Sequence, residues 1–233
     1  MTAAKRELHG RRVGRPLRHR GQRALQELLP KLRVPLAGDG PIDPCALFGR
    51  AVDGVWLEIG SGDGTHAAWQ AAQNPDIGVI AVEPFMNGIA SLVAMAEERQ
   101  LTNIRVLDDD VRLLLDRLPP QSINRAFILF PDPWPKRRHW RRRIVNPSVL
   151  DELARLMPIG AELRVATDVQ DYLVWMLRVL RAHPDFDWAP RSADDWRVRP
   201  HDWPGTRFEE KGLEAGRRST YLSLKRAAQG DYT

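Results

Sequence analysis

A proline-framed acid followed by dense positive charge is the part of this sequence best suited to chemistry. The stretch Phe130-Pro131-Asp132-Pro133-Trp134-Pro135-Lys136 runs into six Lys/Arg among the eight residues 136–143. The prolines fix the backbone on both sides of Asp132, Trp134 offers a flat stacking face, and the cations can hold phosphates. These groups match the needs of a site for a base in a nucleic acid. A proline-rich turn with a solvated basic face is the alternative.

The glycine-rich turn Glu58-Ile59-Gly60-Ser61-Gly62-Asp63-Gly64 is a second chemical motif, and it follows a buried apolar run. Glycine lets a ligand lie against the backbone. The spacing is G-x-G-x-G rather than the G-x-G-x-x-G of dinucleotide sites, and Glu58 would repel a pyrophosphate. A ligand with a cationic amine and a sulfonium fits better, which predicts S-adenosylmethionine. A purely structural tight turn is the alternative.

Further acids follow successive predicted strands. Glu83 ends the second strand, 25 residues after Glu58, where an acid can accept both ribose hydroxyls of a nucleoside cofactor. Asp110 follows the third strand and could accept the adenine amino group, with Asp108 and Asp109 as competitors. Each acid alone could be a helix cap. Acids at one edge of a parallel sheet are better explained by a ligand, because ligands bind there.

Alternating strands and helices position these motifs. We predict strands at 55–59, 79–82, 104–107, 126–130 and 162–166, and helices at 65–73, 84–96, 111–118, 147–157 and 171–182. Short links between them indicate an α/β fold, a mostly parallel sheet with helices on both faces. The alternating run at 219–224 predicts an antiparallel C-terminal edge strand.

The amino-terminal part differs in composition from the rest. Residues 1–50 are predicted to be a basic arm and linker, and residues 51–233 the catalytic domain. Within the first part, residues 1–20 are expected to be a mobile arm, followed by a helix at 22–32 interrupted by Pro30. Residues 1–33 carry a net charge of +8 and residues 136–143 carry +6, against +5 for the chain, so the remainder is acidic. Two basic clusters on an acidic body favour a polyanionic partner, although a solubilising tail would also be basic.

Composition excludes several classes of protein. No apolar run reaches the roughly 18 residues of a membrane helix, and no signal-peptide core is visible. The single cysteine, Cys45, excludes an internal disulfide and a cysteine-cluster metal site, and the six histidines show no metal-ligand spacing. We therefore expect a cytoplasmic enzyme that uses no metal and does not associate with membranes.

Taken in order, the motifs resemble those of the bacterial tRNA (guanine-N7)-methyltransferase family. They are Glu58-Ile59-Gly60-x-Gly62-x-Gly64, Phe130-Pro131-Asp132-Pro133-Trp134-x-Lys136, the run Arg138 to Arg143, Ala166-Thr167-Asp168 and Thr206-x-Phe208-Glu209, spread over about residues 50–226. The Pro-Asp-Pro-Trp-x-Lys element is highly specific, whereas the glycine loop is generic to S-adenosylmethionine-dependent enzymes. The resemblance implies a Rossmann-like class I methyltransferase fold. It also implies methylation of guanine N7 in the tRNA variable loop, usually at position 46.

The resemblance implies residue roles as well. The cofactor-binding positions are Glu58, Gly60, Gly62, Glu83, Asp110 and Asp132, and Asp132 is also the catalytic residue. The tRNA-substrate positions are Lys136, Asp168, Thr206, Arg207, Phe208 and Glu209, and the RNA-contact stretch is Arg138, His139, Trp140, Arg141, Arg142 and Arg143. S-adenosylhomocysteine is the expected product. The expected partner is tRNA, bound by a monomer or homodimer without an obligate second subunit.

The expected chemistry needs no general base, because guanine N7 carries a lone pair and no proton. An in-line displacement at the sulfonium methyl is expected, with Asp132 stabilising the developing charge. The target would be a loop base or a flipped base.

Two other functions remain open on the sequence. One is methylation of an exocyclic amine, although Asp132-Pro133-Trp134 lacks the second proline of the Asn/Asp-Pro-Pro-aromatic element that such enzymes often carry. The other is a non-catalytic RNA-binding module, against which the acids Glu58, Glu83 and Asp132 argue.

Overall fold

A seven-stranded sheet forms the centre of the computed structural model, which describes residues 6–228 apart from the side chain of Arg207. Its strands are β1 (Gly54–Ile59), β2 (Ile77–Val82), β3 (Ile104–Leu107), β4 (Arg125–Leu129), β5 (Glu162–Thr167), β6 (Phe186–Asp187) and β7 (Thr220–Arg226). The five predicted strands of the parallel part are all present. Their sequences are nearly continuous apolar runs because both faces of such a sheet are covered.

Helices pack on both faces of this sheet. They are α1 (His19–Arg23), α2 (Leu29–Leu32), α3 (Thr65–Gln73), α4 (Met86–Glu98), α5 (Arg112–Leu115), α6 (Pro147–Leu156), α7 (Gln170–Ala182), α8 (Asp194–Arg197) and α9 (Arg207–Glu214). Short 3₁₀ segments occur at Ala46–Phe48 and Arg137–Arg142. Across residues 6–228, no helix combines the length and the apolar character needed to cross a membrane.

The strand order, β3-β2-β1-β4-β5-β7-β6, places the functional edge of the sheet. Strands β1 to β5 pair in parallel, and β7 pairs antiparallel with β5 and β6. The order reverses between β1 and β4, and a crevice for ligands opens at the carboxyl ends of the strands at such a point. The predicted mostly parallel sheet with an antiparallel C-terminal strand is confirmed. The two-residue strand β6, which lies outside β7, was not predicted.

Two apolar layers hold the sheet between its helices. On one face, α6 buries Val149, Leu150 and Leu153 in a cluster that includes Leu57 of β1. On the other face, α3 and α4 form a cluster with β2 and β3. Each fully buried aliphatic side chain contributes about 1.5–3 kcal/mol, so these layers fix the positions at which the strands end.

The helix predicted at 22–32 is not broken at Pro30. A π-helical turn, Ala24–Leu28, joins α1 to α2, and Pro30 lies in the first turn of α2, where a missing N–H is tolerated. Ala24 and Leu29 are only 1% exposed and pack in the same cluster as α4. Packing of the domain therefore begins well before the boundary predicted at residue 50. The predicted helix at 111–118 is also shorter, since its α-helical part is only α5.

Candidate active site

A cavity of about 540 Å³ lies at the carboxyl ends of β1, β2 and β4. Its lining includes all six residues predicted to bind the cofactor: Glu58, Gly60, Gly62, Glu83, Asp110 and Asp132. Residues 7–11 of the amino-terminal arm form part of its wall. The structure therefore brings the predicted cofactor residues together, because the strands that carry them end at the same edge.

Two glycines of the glycine-rich loop, Gly60 and Gly64, have different structural roles. Gly60 has φ +78°, and a Cβ placed there would meet nothing within 4 Å, so the loop leaves open space at this point. Gly64 has φ +82°, and a Cβ there would lie 2.4 Å from the side chain of Leu92 on α4. The alternative of a purely structural turn therefore holds for Gly64, which packs closely against α4. Gly60 instead leaves room beside the cavity.

Glu83 is almost fully buried, and both of its carboxylate oxygens accept backbone N–H groups. Gly62 N donates to Oε2 and Phe85 N donates to Oε1, each at 2.8 Å. Burial nevertheless raises the pKa of Glu83 to about 7, because it outweighs these two donors, and the negative charges of Asp132 and Glu58 act in the same direction. A cationic ligand in the cavity would oppose this rise.

The three consecutive aspartates after β3 occupy different environments. Asp110 is 3% exposed, and its Oδ2 accepts the backbone N–H of Glu7 at 2.6 Å. Asp109 also lines the cavity but pairs with Arg6. Asp108 bonds to Arg33 at 2.8 Å and is not part of the lining. Asp110 also accepts from the backbone N–H and the guanidinium of Arg112, so all three carboxylates are engaged within the chain. The adenine contact of Asp110 therefore stays a prediction.

Backbone strain brackets Asp132. Within residues 6–228, four non-glycine residues have positive φ, and two of them are Phe130 at 49° and Trp134 at 43°. Such conformations cost about 1–3 kcal/mol each and cluster at functional sites. Burial by the cavity walls raises the pKa of Asp132. The motif is therefore a strained loop that holds one carboxylate at the junction of β1 and β4.

Trp134 lies between the cavity and the basic segment. The Arg142 guanidinium carbon lies 4.9 Å from the centre of the indole ring, and the His139 ring approaches edge-on at 5.9 Å. Arg142 and Trp134 both line the cavity, whereas Lys136, Arg138 and Arg141 are exposed outside it. The exposed cations of the basic segment therefore lie beside a cavity that several carboxylates line.

Comparison with known proteins places the chain in a family. A family model described as "Putative methyltransferase" matches residues 53–222. A tRNA (guanine-N(7)-)-methyltransferase of Rhodospirillum rubrum is 48% identical over 221 residues, which cover 94% of this chain and 87% of that protein. The chain belongs to the tRNA (guanine-N7)-methyltransferase family. A member from Azorhizobium caulinodans is 47% identical and covers 97% of each chain. The resemblance inferred from the motifs is confirmed.

Solved structures agree on the fold. The 16S rRNA methyltransferase KamB superposes with a TM-score of 0.53 at 18% identity, over 84% of this chain and 99% of that chain. A 16S rRNA (adenine(1408)-N(1))-methyltransferase variant from Catenulisporales acidiphilia, solved with S-adenosylmethionine, gives 0.54 at 17% identity, over 86% and 99%. At this identity the comparison supports the class I methyltransferase fold alone.

Arg143 contradicts its predicted role as an RNA contact of the family. It is 1% exposed, donates from Nε to Pro133 O at 2.9 Å and pairs with Asp171. Its guanidinium carbon lies 4.9 Å from the ring centres of Trp140 and Tyr172. A side chain enclosed in this way cannot reach a phosphate. Arg143 instead ties the Pro-Asp-Pro-Trp loop to α7.

Trp140 is also packed inward. Its ring lies 5.6 Å from that of Trp175 on α7, and its indole N–H is buried without a hydrogen-bond partner in the described part of the chain. Of the predicted RNA-contact stretch, Arg138 and Arg141 are exposed, and His139 and Arg142 are partly exposed beside Trp134. RNA contact therefore remains a prediction for these four residues, and Trp140 acts as packing.

The predicted substrate segment 206–209 contains a helix cap. Thr206 Oγ1 accepts from Glu209 N at 3.3 Å, and Glu209 Oε2 accepts from Thr206 N at 2.9 Å, which is a capping box. Tyr221 OH donates to Glu209 Oε1 at 2.7 Å. Glu209 is 2% exposed and engaged within the fold, and its predicted substrate role stays a prediction. Phe208 is 58% exposed and lines the cavity, and the side chain of Arg207 lies outside the described part of the structure.

The two other predicted substrate residues lie outside the cavity lining. Asp168 follows β5 at the same edge of the sheet, and its Oδ2 accepts from Arg217 Nε at 2.7 Å. Lys136 is exposed at the start of the basic segment. The structure therefore leaves their predicted roles untested.

Sequence reasoning missed His66, which is buried against Glu58 in the first turn of α3. The histidines were examined above only for metal-ligand spacing. The available signal was the position of His66, eight residues after Glu58 and just beyond the glycine loop. At that point the chain folds back beside the end of β1.

The raised pKa of Glu83 predicts a pH-dependent stability. Between the ordinary carboxyl pKa of 4.5 and about 7 the folded state binds more protons than the unfolded state. Stability of the ligand-free protein should therefore fall by about 2–3 kcal/mol as the pH rises through that window. In Glu83→Gln this slope should flatten, as measured by urea unfolding at pH 5, 6, 7 and 8. The exposed Glu210→Gln should keep the wild-type slope, and equal slopes in all three proteins would contradict the assignment.

The enclosure of Arg143 predicts a large loss of stability in Arg143→Ala. Removal of its packing and of the donor to Pro133 O should lower the free energy of unfolding by about 2 kcal/mol or more. The exposed neighbour Arg141→Ala serves as the control and should change it by less than about 0.5 kcal/mol. Urea unfolding monitored by circular dichroism measures both. If the two variants are equally stable, Arg143 is not an anchor.

Proposed function

We propose that this protein transfers the methyl group of S-adenosylmethionine to N7 of guanine 46 in the variable loop of tRNA. The observation that carries the proposal is the position of Asp132, which lines one cavity with Glu58 and Glu83 and adjoins an exposed basic segment. Membership of the tRNA (guanine-N7)-methyltransferase family supports it.

The residues of the cavity fit S-adenosylmethionine. Glu58 and Asp132 present negative charge to a ligand with a cationic amine and a sulfonium, and Glu83 can accept from ribose hydroxyls with its remaining lone pairs. Asp110 already accepts N–H donors from Glu7 and Arg112, and an adenine amino group is a donor of the same kind. When bound, the cofactor supplies an electrophilic methyl group on sulfur.

The proposed role of Asp132 is electrostatic. Guanine N7 attacks through its lone pair and loses no proton, so the positive charge passes from sulfur to the purine ring. A carboxylate beside that path stabilises the charge as it develops. Burial raises the pKa of Asp132 in the ligand-free cavity, and an adjacent cation favours the ionised form. The bound substrates themselves therefore favour the charged state that the reaction uses.

The basic segment supplies the proposed tRNA surface. Lys136, Arg138 and Arg141 are exposed beside the cavity and can contact phosphates. Trp134 offers an aromatic face next to Asp132, where an unstacked base could lie. We place the protein in the cytoplasm, where its substrate would be found.

Methyl transfer to tRNA tests the proposal directly. Purified protein is incubated with S-adenosylmethionine and tRNA that lacks 7-methylguanosine, and the nucleosides are then analysed. The expected product is 7-methylguanosine at position 46, formed without a second subunit. A methylated exocyclic amine, or no methylation by protein that binds tRNA, would support one of the two alternative functions instead.

Asp132→Asn tests the charge-stabilising role. It removes the charge but preserves the shape, so the single-turnover rate of methyl transfer at saturating substrates should fall by about 100-fold or more. Thermal unfolding should show a folded protein. Asp39→Ala in the linker, which is exposed, should keep the wild-type rate. Near-normal turnover in Asp132→Asn would refute the role.

The double variant Arg138→Ala, Arg141→Ala tests the tRNA surface. If each arginine neutralises one phosphate, the slope of log affinity against log salt should become shallower by about 1.4–1.8. The control is Arg50→Ala, Arg99→Ala, which removes two exposed arginines near the opposite ends of the strands, before β1 and after α4. Filter binding of tRNA at several salt concentrations measures the slopes. Equal slopes for the two double variants would exclude a specific contact.

A further inference from the structure

A buried histidine contacts the acid at the floor of the cavity. His66 Nδ1 lies 2.8 Å from Glu58 Oε2, and the two residues are 3% and 2% exposed. His66 comes from the first turn of α3 and also lines the cavity. A buried carboxylate is stabilised in its charged form by a donor of this kind. The pair is therefore placed to act on the bound cofactor.

The neighbours of His66 fix its tautomer. Gln70 Nε2 lies 2.8 Å from the backbone oxygen of Asp202, which can only accept, so this atom is the amide nitrogen. The same nitrogen lies 3.1 Å from His66 Nε2 and has a second hydrogen to donate. His66 Nε2 is then an acceptor, and its proton resides on Nδ1, from which it is donated to Glu58.

Two aromatic side chains hold the plane of the imidazole. The ring centre of His66 lies 4.8 Å from that of Phe127 and 5.3 Å from that of Trp203. Phe127 is 1% exposed and Trp203 is 3% exposed, so neither moves aside without opening the core. The ring is thus fixed in position, in plane and in tautomer.

The two carboxylate oxygens of Glu58 therefore have different surroundings. Within residues 6–228, the hydrogen bonds of this side chain use Oε2 only, and Glu58 lines the cavity. Oε1 is therefore the oxygen available to a ligand. Because His66 donates to Oε2, it fixes the orientation of the carboxylate.

We infer that His66, fixed by Gln70, is a positioning residue that holds the carboxylate of Glu58 directed at the cationic amino-acid end of the cofactor. The inference rests on the proposed use of S-adenosylmethionine. It assigns to His66 no contact with the transferred methyl group or with tRNA. A mutation of His66 should therefore weaken binding at one end of the cofactor only.

Two probes separate this role from simple packing. S-adenosylhomocysteine carries the amino-acid end, whereas 5′-methylthioadenosine keeps the adenosine and lacks that end. In His66→Phe, which keeps an aromatic ring but no donor, the affinity for S-adenosylhomocysteine should fall by about 10-fold or more. The affinity for 5′-methylthioadenosine should change by less than about 2-fold. Isothermal titration of the full-length protein measures both affinities.

His66→Asn supplies the rescue, because its amide nitrogen can take the place of Nδ1. It should retain S-adenosylhomocysteine affinity within about 3-fold of wild type. Unchanged affinity in His66→Phe, equal loss of both probes, or failure of His66→Asn to exceed His66→Phe would each overturn the inference. Failure of the proposed function looks different. If the wild-type protein binds neither probe, the proposed cofactor is wrong. If it binds both probes but does not methylate tRNA, only the proposed reaction is wrong.

Discussion

Two buried carboxylates, Glu58 and Glu83, beside the exposed carboxylate of Asp132 are the constraint on which this site depends. Glu58, Glu83 and Asp132 line one cavity, and the pKa of about 7 for Glu83 reflects first its burial and then the charges of the other two. Such a cavity disfavours phosphates and favours a cation. The proposed tRNA surface beside it needs the opposite charge. The fold must therefore hold an acidic cavity and a basic segment next to each other without letting them neutralise one another.

Arg143 is the residue that keeps these two regions apart. It comes from the basic run but is buried, and it connects Pro133 O to Asp171 and Tyr172 of α7. The strained backbone at Phe130 and Trp134 persists only where its surroundings over-determine it. Arg143 provides one such restraint directly between these residues and the helix. The loop thus presents Asp132 to the cavity while Arg138 and Arg141 remain outside it.

The fold was predictable because its signals are local. Apolar runs bounded by glycine, proline or acids gave the limits of β3 and α3 as observed, since burial on both faces leaves little choice of residue. The roles within the basic run were not predictable. Arg143 and Arg138 are identical in type, and the burial of Arg143 depends on α7, about 30 residues further along the chain. The capping box of Thr206 and Glu209 was readable as T-x-x-E, but the resemblance directed attention to substrate binding.

The basic arm shows the limit of arguments from net charge. Arg6 pairs with Asp109, Arg33 pairs with Asp108, and Arg12 donates to the backbone oxygen of Asp108. Two of the arm's arginines therefore compensate Asp108 and Asp109 within the same chain. Farther along, Arg20 pairs with Glu98 where both side chains are more than half exposed. Exposed pairs contribute only about 0–1 kcal/mol, so tRNA phosphates could replace Glu98 at little cost. Asp108 and Asp109 would give up their arginines less readily, because the aspartate side chains are largely buried.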